Sequence, residues 1–197
     1  MPHYFRQSFH QIKQLINSYT TLVKQYLDEG WQGYLMTMIF NQLSGNDRQK
    51  NHQMQVSTEG IYASLLTRII RKPWRLPAAN PILIAGPDWP VWKHGKMTLS
   101  EVTINDGLHY HGVLLVPAQS RLKIPVHQHF IENQDYYLRD GILRRIDVRP
   151  FPDADVSTVV DYALKGLKTS RLPDDENLLI LPKSYLEISK RPYLGKF

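Results

Sequence analysis

The chain has 197 residues, 42% of them hydrophobic, enough for one domain with a real core. It contains no cysteine, which excludes disulfides, zinc ribbons, iron–sulfur clusters and thiol nucleophiles. The net charge of +6 favours a polyanionic partner, and no apolar run approaches the roughly 20 residues that cross a bilayer. The start, "MPHYFRQSFHQIKQ", lacks the charged-then-apolar pattern of a secretory signal, so a cytoplasmic protein that meets no membrane is expected.

In chain order, residues 8–28 repeat apolar side chains at helical spacing (Ile12, Leu15, Ile16, Leu22, Val23, Leu27), between a candidate cap at Ser8 and a stop at Gly30. "GYLMTMIFN" (33–41) reads as a buried strand. "LSGNDRQKNHQMQVS" is polar and reads as a loop, and "TEGIYASLLTRIIRK" (58–72) as a helix ending before Pro73. "ILIAG" (82–86) is a short strand. "MTLSEVTI" (97–104) alternates, and "NDG" (105–107) marks a hairpin turn into "LHYHGVLLVP". Residues 126–139 are predicted helical, 141–151 a strand of alternating apolar and basic residues, and 155–168 a helix. The remainder is irregular. This order suits an α+β domain: a central, mainly antiparallel sheet of about five strands with helices packed on one face. The expected divisions are an N-terminal helix (1–30), the domain (31–172) and a C-terminal tail (173–197). Neither "LSGND" nor "IAGPD" matches a phosphate-binding loop, which argues against ATP hydrolysis.

His109 and His111 stand two apart on the predicted strand, so both side chains project from one face and can hold one metal ion. Their rivals, His127 and His129, precede a helical pattern, where residues two apart diverge around the axis. Across the expected hairpin, Glu101 supplies a carboxylate. Asp106 is a second candidate, although its place suits a turn role. Two imidazoles and one carboxylate with open positions suit Mg²⁺ or Mn²⁺ on phosphate oxygens, and Zn²⁺ also fits such ligands.

On the last helix, Val156, Val159, Val160, Ala163, Leu164 and Leu167 form an apolar face. Tyr162 and Lys165 lie three apart on the polar side. A phenol can attack a phosphodiester when its proton is removed or its charge is stabilised, and Lys165 could steady that charge.

An apolar strand "YLMTMIFN", a histidine strand "HYHGVLLVP" and a tyrosine helix "DYALKGL", in this order, resemble the HUH endonuclease superfamily. Within it they resemble the single-tyrosine Rep proteins that initiate rolling-circle replication. The resemblance covers residues 33–170. Tyr110 stands where the family has an aliphatic residue, and Gly166 where many viral members have an acid. Both departures point away from the viral subtype, toward a plasmid, phage or transposon-type member. The resemblance implies an HUH/Rep-like fold with ferredoxin-like, or RNA-recognition-motif-like, topology. It implies a metal held by Glu101, His109 and His111, with Tyr162 as nucleophile and Lys165 beside it. It implies single-stranded DNA at an origin or hairpin as substrate, nicked through a 5′-phosphotyrosine without ATP, and a host helicase as an accessory partner. Arg68, Arg71, Lys72, Trp74, Arg144 and Arg145 are candidates to track the backbone and stack bases. Two other functions stay open: a non-catalytic single-stranded nucleic-acid-binding domain, and a metal-dependent phosphoesterase that uses water.

Overall fold

A computed structural model describes residues 9–75, 77–88, 108–138, 141–169 and 178–183. The order is α1 (Phe9–Asp28), β1 (Gln32–Phe40), α2 (Asp47–Ile69), β2 (Ile82–Asp88), β3 (His109–Val116), α3 (Val126–Glu132), α4 (Gln134–Tyr137), β4 (Leu143–Pro150), α5 (Val156–Ala163), α6 (Gly166–Thr169) and β5 (Leu179–Leu181). The strands form one antiparallel sheet in the order β4-β1-β3-β2-β5. The α+β class and the five strands are as expected. The first four strands follow the ferredoxin-like order, in which the two middle strands are β1 and β3. Among the described residues no helix is long and apolar enough to cross a membrane.

Helices cover both faces, not one. Side chains alternate along each strand, so β1, β2 and β3 feed two cores. On one face Met36, Met38, Tyr110 and Leu114 pack against Met54, Ile61 and Leu65 of α2 and Phe130 of α3. On the other, Val113, Leu115 and Ile84 meet Ile12, Ile16 and Val23 of α1 and the apolar face of α5, Val156, Val159, Val160 and Ala163, with Leu164 and Leu167 just beyond it. The six apolar residues expected to face inward from the last helix are therefore all in this core. So is α1, which packs within the same body as the sheet. The segment read as a tail supplies the edge strand β5.

Several element boundaries differ from expectation: the helix expected over 126–139 divides at Asn133, and the strand expected over 82–86 runs on to Asp88. Residues 47–57, expected as loop, are the first turns of α2. They start at a capping box, in which the Asn46 side chain accepts from the Gln49 amide and the Gln49 side chain accepts from the Asn46 amide. Their polarity misleads because the inner face of this stretch buries Asn51 and Ser57 beside Met54. The last helix breaks after Ala163 and resumes at Gly166. A Cβ at 166 would overlap the carbonyl oxygen of Pro87, so glycine lets the chain sit flush on the end of β2. The expected strand 97–104 and its "NDG" turn lie outside the described residues.

Candidate metal and nucleophile site

β3 has a neighbour on each side along its length. Ile39 of β1 and Asp88 of β2 both lie opposite His109. His109 and His111 share the face that carries Val113 and Leu115, the face of α1 and α5. Register thus places Asp88, the last residue of β2, directly beside the first histidine. Its Oδ2 lies 3.1 Å from Nε2 of His109 and 3.6 Å from Nε2 of His111. The two Nε2 atoms are 2.9 Å apart. A pair of imidazole nitrogens that close shares one proton or one cation.

These edges fit a metal. Ligand bonds of about 2.1 Å give edges of about 3.0 Å for adjacent octahedral positions and about 3.4 Å for tetrahedral ones. Among the described residues, Asp88, His109 and His111 are the one group of three or more ligating side chains gathered closely enough to hold a metal ion. The donor set, two neutral nitrogens and one hard oxygen, does not select among Mg²⁺, Mn²⁺ and Zn²⁺. Glu101 lies outside the described residues, so the carboxylate seen beside the histidines is one that sequence reasoning did not single out. Asp88 lies two residues beyond the predicted strand 82–86, and the structure extends that strand to reach it. The strong hairpin turn at 105–107 drew attention to 97–104 as the pairing partner instead.

Electrostatics favour the metal-binding forms of Asp88 and His111. Burial raises the pKa of Asp88, but hydrogen bonds from His109, His111 and Lys165 outweigh that and hold it well below the usual carboxylate range. Burial lowers the pKa of His111 and outweighs the opposing hydrogen bond and charge of Asp88, which favours the neutral imidazole. On its far side, Nδ1 of His111 lies 3.0 Å from Oγ1 of Thr37, its direct partner on β1. When Nε2 ligates, Nδ1 carries the proton and donates to that hydroxyl.

The tyrosine and lysine converge on the same place. The Tyr162 ring lies 4.5 Å from the His111 ring and is 41% exposed, open to an incoming ligand. The Lys165 ammonium sits 4.2 Å from the Tyr162 ring centre and 2.7 Å from Oδ2 of Asp88. Four residues singled out from the sequence, His109, His111, Tyr162 and Lys165, therefore meet at one point. The rival pair does not join them. His129 is buried on the opposite face, where it bonds the Tyr137 hydroxyl at 2.9 Å, and His127 faces Tyr34 there.

The candidate DNA-binding residues divide. Arg145 lies in the cross-sheet row of Ile39, His109 and Asp88, on the metal-site face. Arg144 is the extra residue of a bulge opposite Ile39 and Phe40, and both arginines are exposed. Arg149 also faces this side, bonded to Asp147 at 2.8 Å. Beside them Thr37 and Ile39 remain partly exposed, so the β1–β4 half of the face is open. Arg68, Arg71, Lys72 and Trp74 instead end α2 and follow it, on the other face and at the far end of the sheet.

The site is that of a potential metal-binding α+β protein with a tyrosine at the ligand triad. The chain matches no protein-family model, no curated protein and no solved structure.

Proposed function

We propose that the protein is a metal-dependent single-stranded DNA nickase and strand transferase of the HUH type. In this reading it initiates rolling-circle replication or mobilisation of a plasmid, phage or related element. The observation that carries the reading is the contact of Tyr162 with His111 at the Asp88–His109–His111 group. A bare metal site suits many hydrolases, whereas a half-exposed phenol against its ligand suits a phosphoryl-accepting nucleophile.

Bound Mg²⁺ or Mn²⁺ would polarise the scissile phosphate. The Tyr162 oxygen forms a bond to phosphorus as the bond from phosphorus to the 3′ oxygen breaks. The phenolic proton ends on the released 3′ hydroxyl. The phosphodiester energy is kept in the 5′-phosphotyrosine, so no nucleotide is consumed. A later 3′ hydroxyl reverses the step and completes strand transfer. Lys165, on the Tyr162 ring, faces the negative charge that gathers during attack. Arg145 and Arg149 line the open half of the same face, where the strand would enter.

The test is incubation with end-labelled hairpin and single-stranded DNA in Mn²⁺, with chelator as control. Metal-dependent nicking lost in Tyr162→Phe supports the proposal. Cleavage that survives Tyr162→Phe identifies a phosphoesterase that uses water. Binding without cleavage under Mg²⁺, Mn²⁺ or Zn²⁺ identifies an inert binding module.

A further inference from the structure

A second charged surface lies away from the metal site. Residues 61–87 and 107–131 contain no Asp or Glu. The structure joins the basic parts of these segments, because the Arg121 amide donates to the carbonyl of Ile69 at the end of α2. Arg71, Lys72 and Arg75, the last two held in one turn, are exposed beside exposed Arg121 and Lys123. Arg68 stacks its guanidinium over Tyr136 at the margin, 5.2 Å from the ring centre. Within this cluster Trp74 is 64% exposed.

Five cations drawn together repel one another, and a large indole left in water gains nothing from the core. One ligand class answers both features. Phosphates neutralise the cations and release counterions, while a flat unpaired base covers the indole. Paired bases in a duplex offer no free face to Trp74.

The place is distinct from the catalytic one. His109 and Val116 close opposite ends of β3, seven residues apart, or about 23 Å along the strand. The cluster lies beyond the Val116 end, on the α2 face, whereas Asp88 and the histidines lie at the other end and on the α5 face.

We propose that Arg71, Lys72, Arg75, Arg121, Lys123 and Trp74 form a second binding surface for single-stranded nucleic acid, separate from the nicking site. It holds strand away from Asp88, His109, His111 and Tyr162 and touches none of them. The proposal rests on the nucleic-acid reading above, although not on cleavage.

The test measures binding of a labelled single-stranded oligonucleotide by anisotropy, without divalent ion, across a salt series. Its variants are the triple charge reversal Arg71→Glu, Lys72→Glu, Arg121→Glu, and separately Trp74→Ala. All four positions are exposed, so the fold is retained, which circular dichroism checks. The triple variant is expected to bind tenfold or more weakly. Its slope of log K against log salt is expected to fall by about 2, since each single-strand phosphate contact contributes about 0.7. Trp74→Ala weakens binding without changing the slope. An unchanged affinity and slope in the triple variant overturns the proposal, even if the wild type nicks DNA. A wild type that binds through this surface but never nicks overturns the nickase reading and leaves this proposal standing. A wild type that binds no single strand without divalent ion overturns this proposal, whatever the nicking assay shows. A triple variant weakened only toward duplex DNA overturns the single-strand assignment.

Discussion

Lys165 places its ammonium 2.7 Å from Oδ2 of Asp88, the same oxygen that faces His109. That oxygen is therefore contested, because a divalent ion bound there would sit close to the ammonium and repel it. Replacing Lys165 by Met is expected to lower the stability of the metal-free protein by about 1–2 kcal/mol, as a mostly buried carboxylate loses a half-exposed partner. The same change should tighten Mn²⁺ binding several-fold while slowing nicking. Calorimetric Mn²⁺ titration of both proteins reads this directly. Weaker Mn²⁺ binding in Lys165→Met would show that the lysine supports the ligands instead of competing for them.

Asp88 and Glu101 are rival sources of the third ligand. The register of β2 against β3 brings Asp88 to the histidines, so Asp88→Asn is expected to weaken Mn²⁺ binding by at least tenfold, while Glu101→Gln leaves it near the wild-type value. The opposite pattern would return the ligand role to Glu101.

Thr37 offers Nδ1 of His111 a hydroxyl that accepts from it when Nε2 ligates. Thr37→Val keeps the shape and removes the acceptor, which should cost about tenfold in metal affinity, near 1.4 kcal/mol. Thr37→Ser should recover most of it. Equal Mn²⁺ affinity in all three proteins would assign Thr37 a packing role only.

Acid should destabilise the metal-free fold in two stages. The pKa of His111 is lowered in the folded state from 6.5, so below pH 6.5 the unfolded chain binds more protons than the folded one. Stability is full above that pH and falls as pH drops toward the folded value. Asp88, lowered from 3.8, adds a second loss with the same sign below pH 3.8. Melting temperatures in chelator between pH 7.5 and 5 test the first stage. His111→Gln should flatten it, and an equally steep decline in that variant would place the titrating group elsewhere.

Gly166 is required by a close approach, since any side chain would strike the Pro87 carbonyl. Gly166→Ala should displace Lys165 from Asp88 and lower stability by about 1–3 kcal/mol, read by urea unfolding. Wild-type stability in that variant would mean that the α6–β2 contact relaxes freely.

Much of this architecture is legible in the sequence where signals are local. The alternation of "HYHGVLLVP" puts both histidines on one face, and the spacing of the apolar residues leaves Tyr162 off the buried side of α5, whereas Lys165 lies in the break after Ala163. Asp88 was not legible, because it becomes a neighbour of His109 only through pairing between strands whose nearest ends are 21 residues apart. A nearer turn signal at 105–107 competed with it. The start of α2 was hidden for a related reason. Asn51 is polar by type, yet it is buried and accepts from the Tyr110 hydroxyl at 2.7 Å, a contact between residues 59 apart. The division of the basic residues also follows from topology, since helix α2 carries Arg68 away from the face and end that hold His109.

The central claim is that Tyr162 becomes covalently joined to DNA. Intact-protein mass spectrometry after incubation with cleavable single-stranded DNA and Mn²⁺ tests it most directly. The account expects a denaturant-resistant species heavier by the 5′-phosphorylated fragment, mapped by peptide digestion to Tyr162 and absent in Tyr162→Phe and in chelator. Cleaved DNA with no mass added to the protein, or an adduct on another residue, would contradict it.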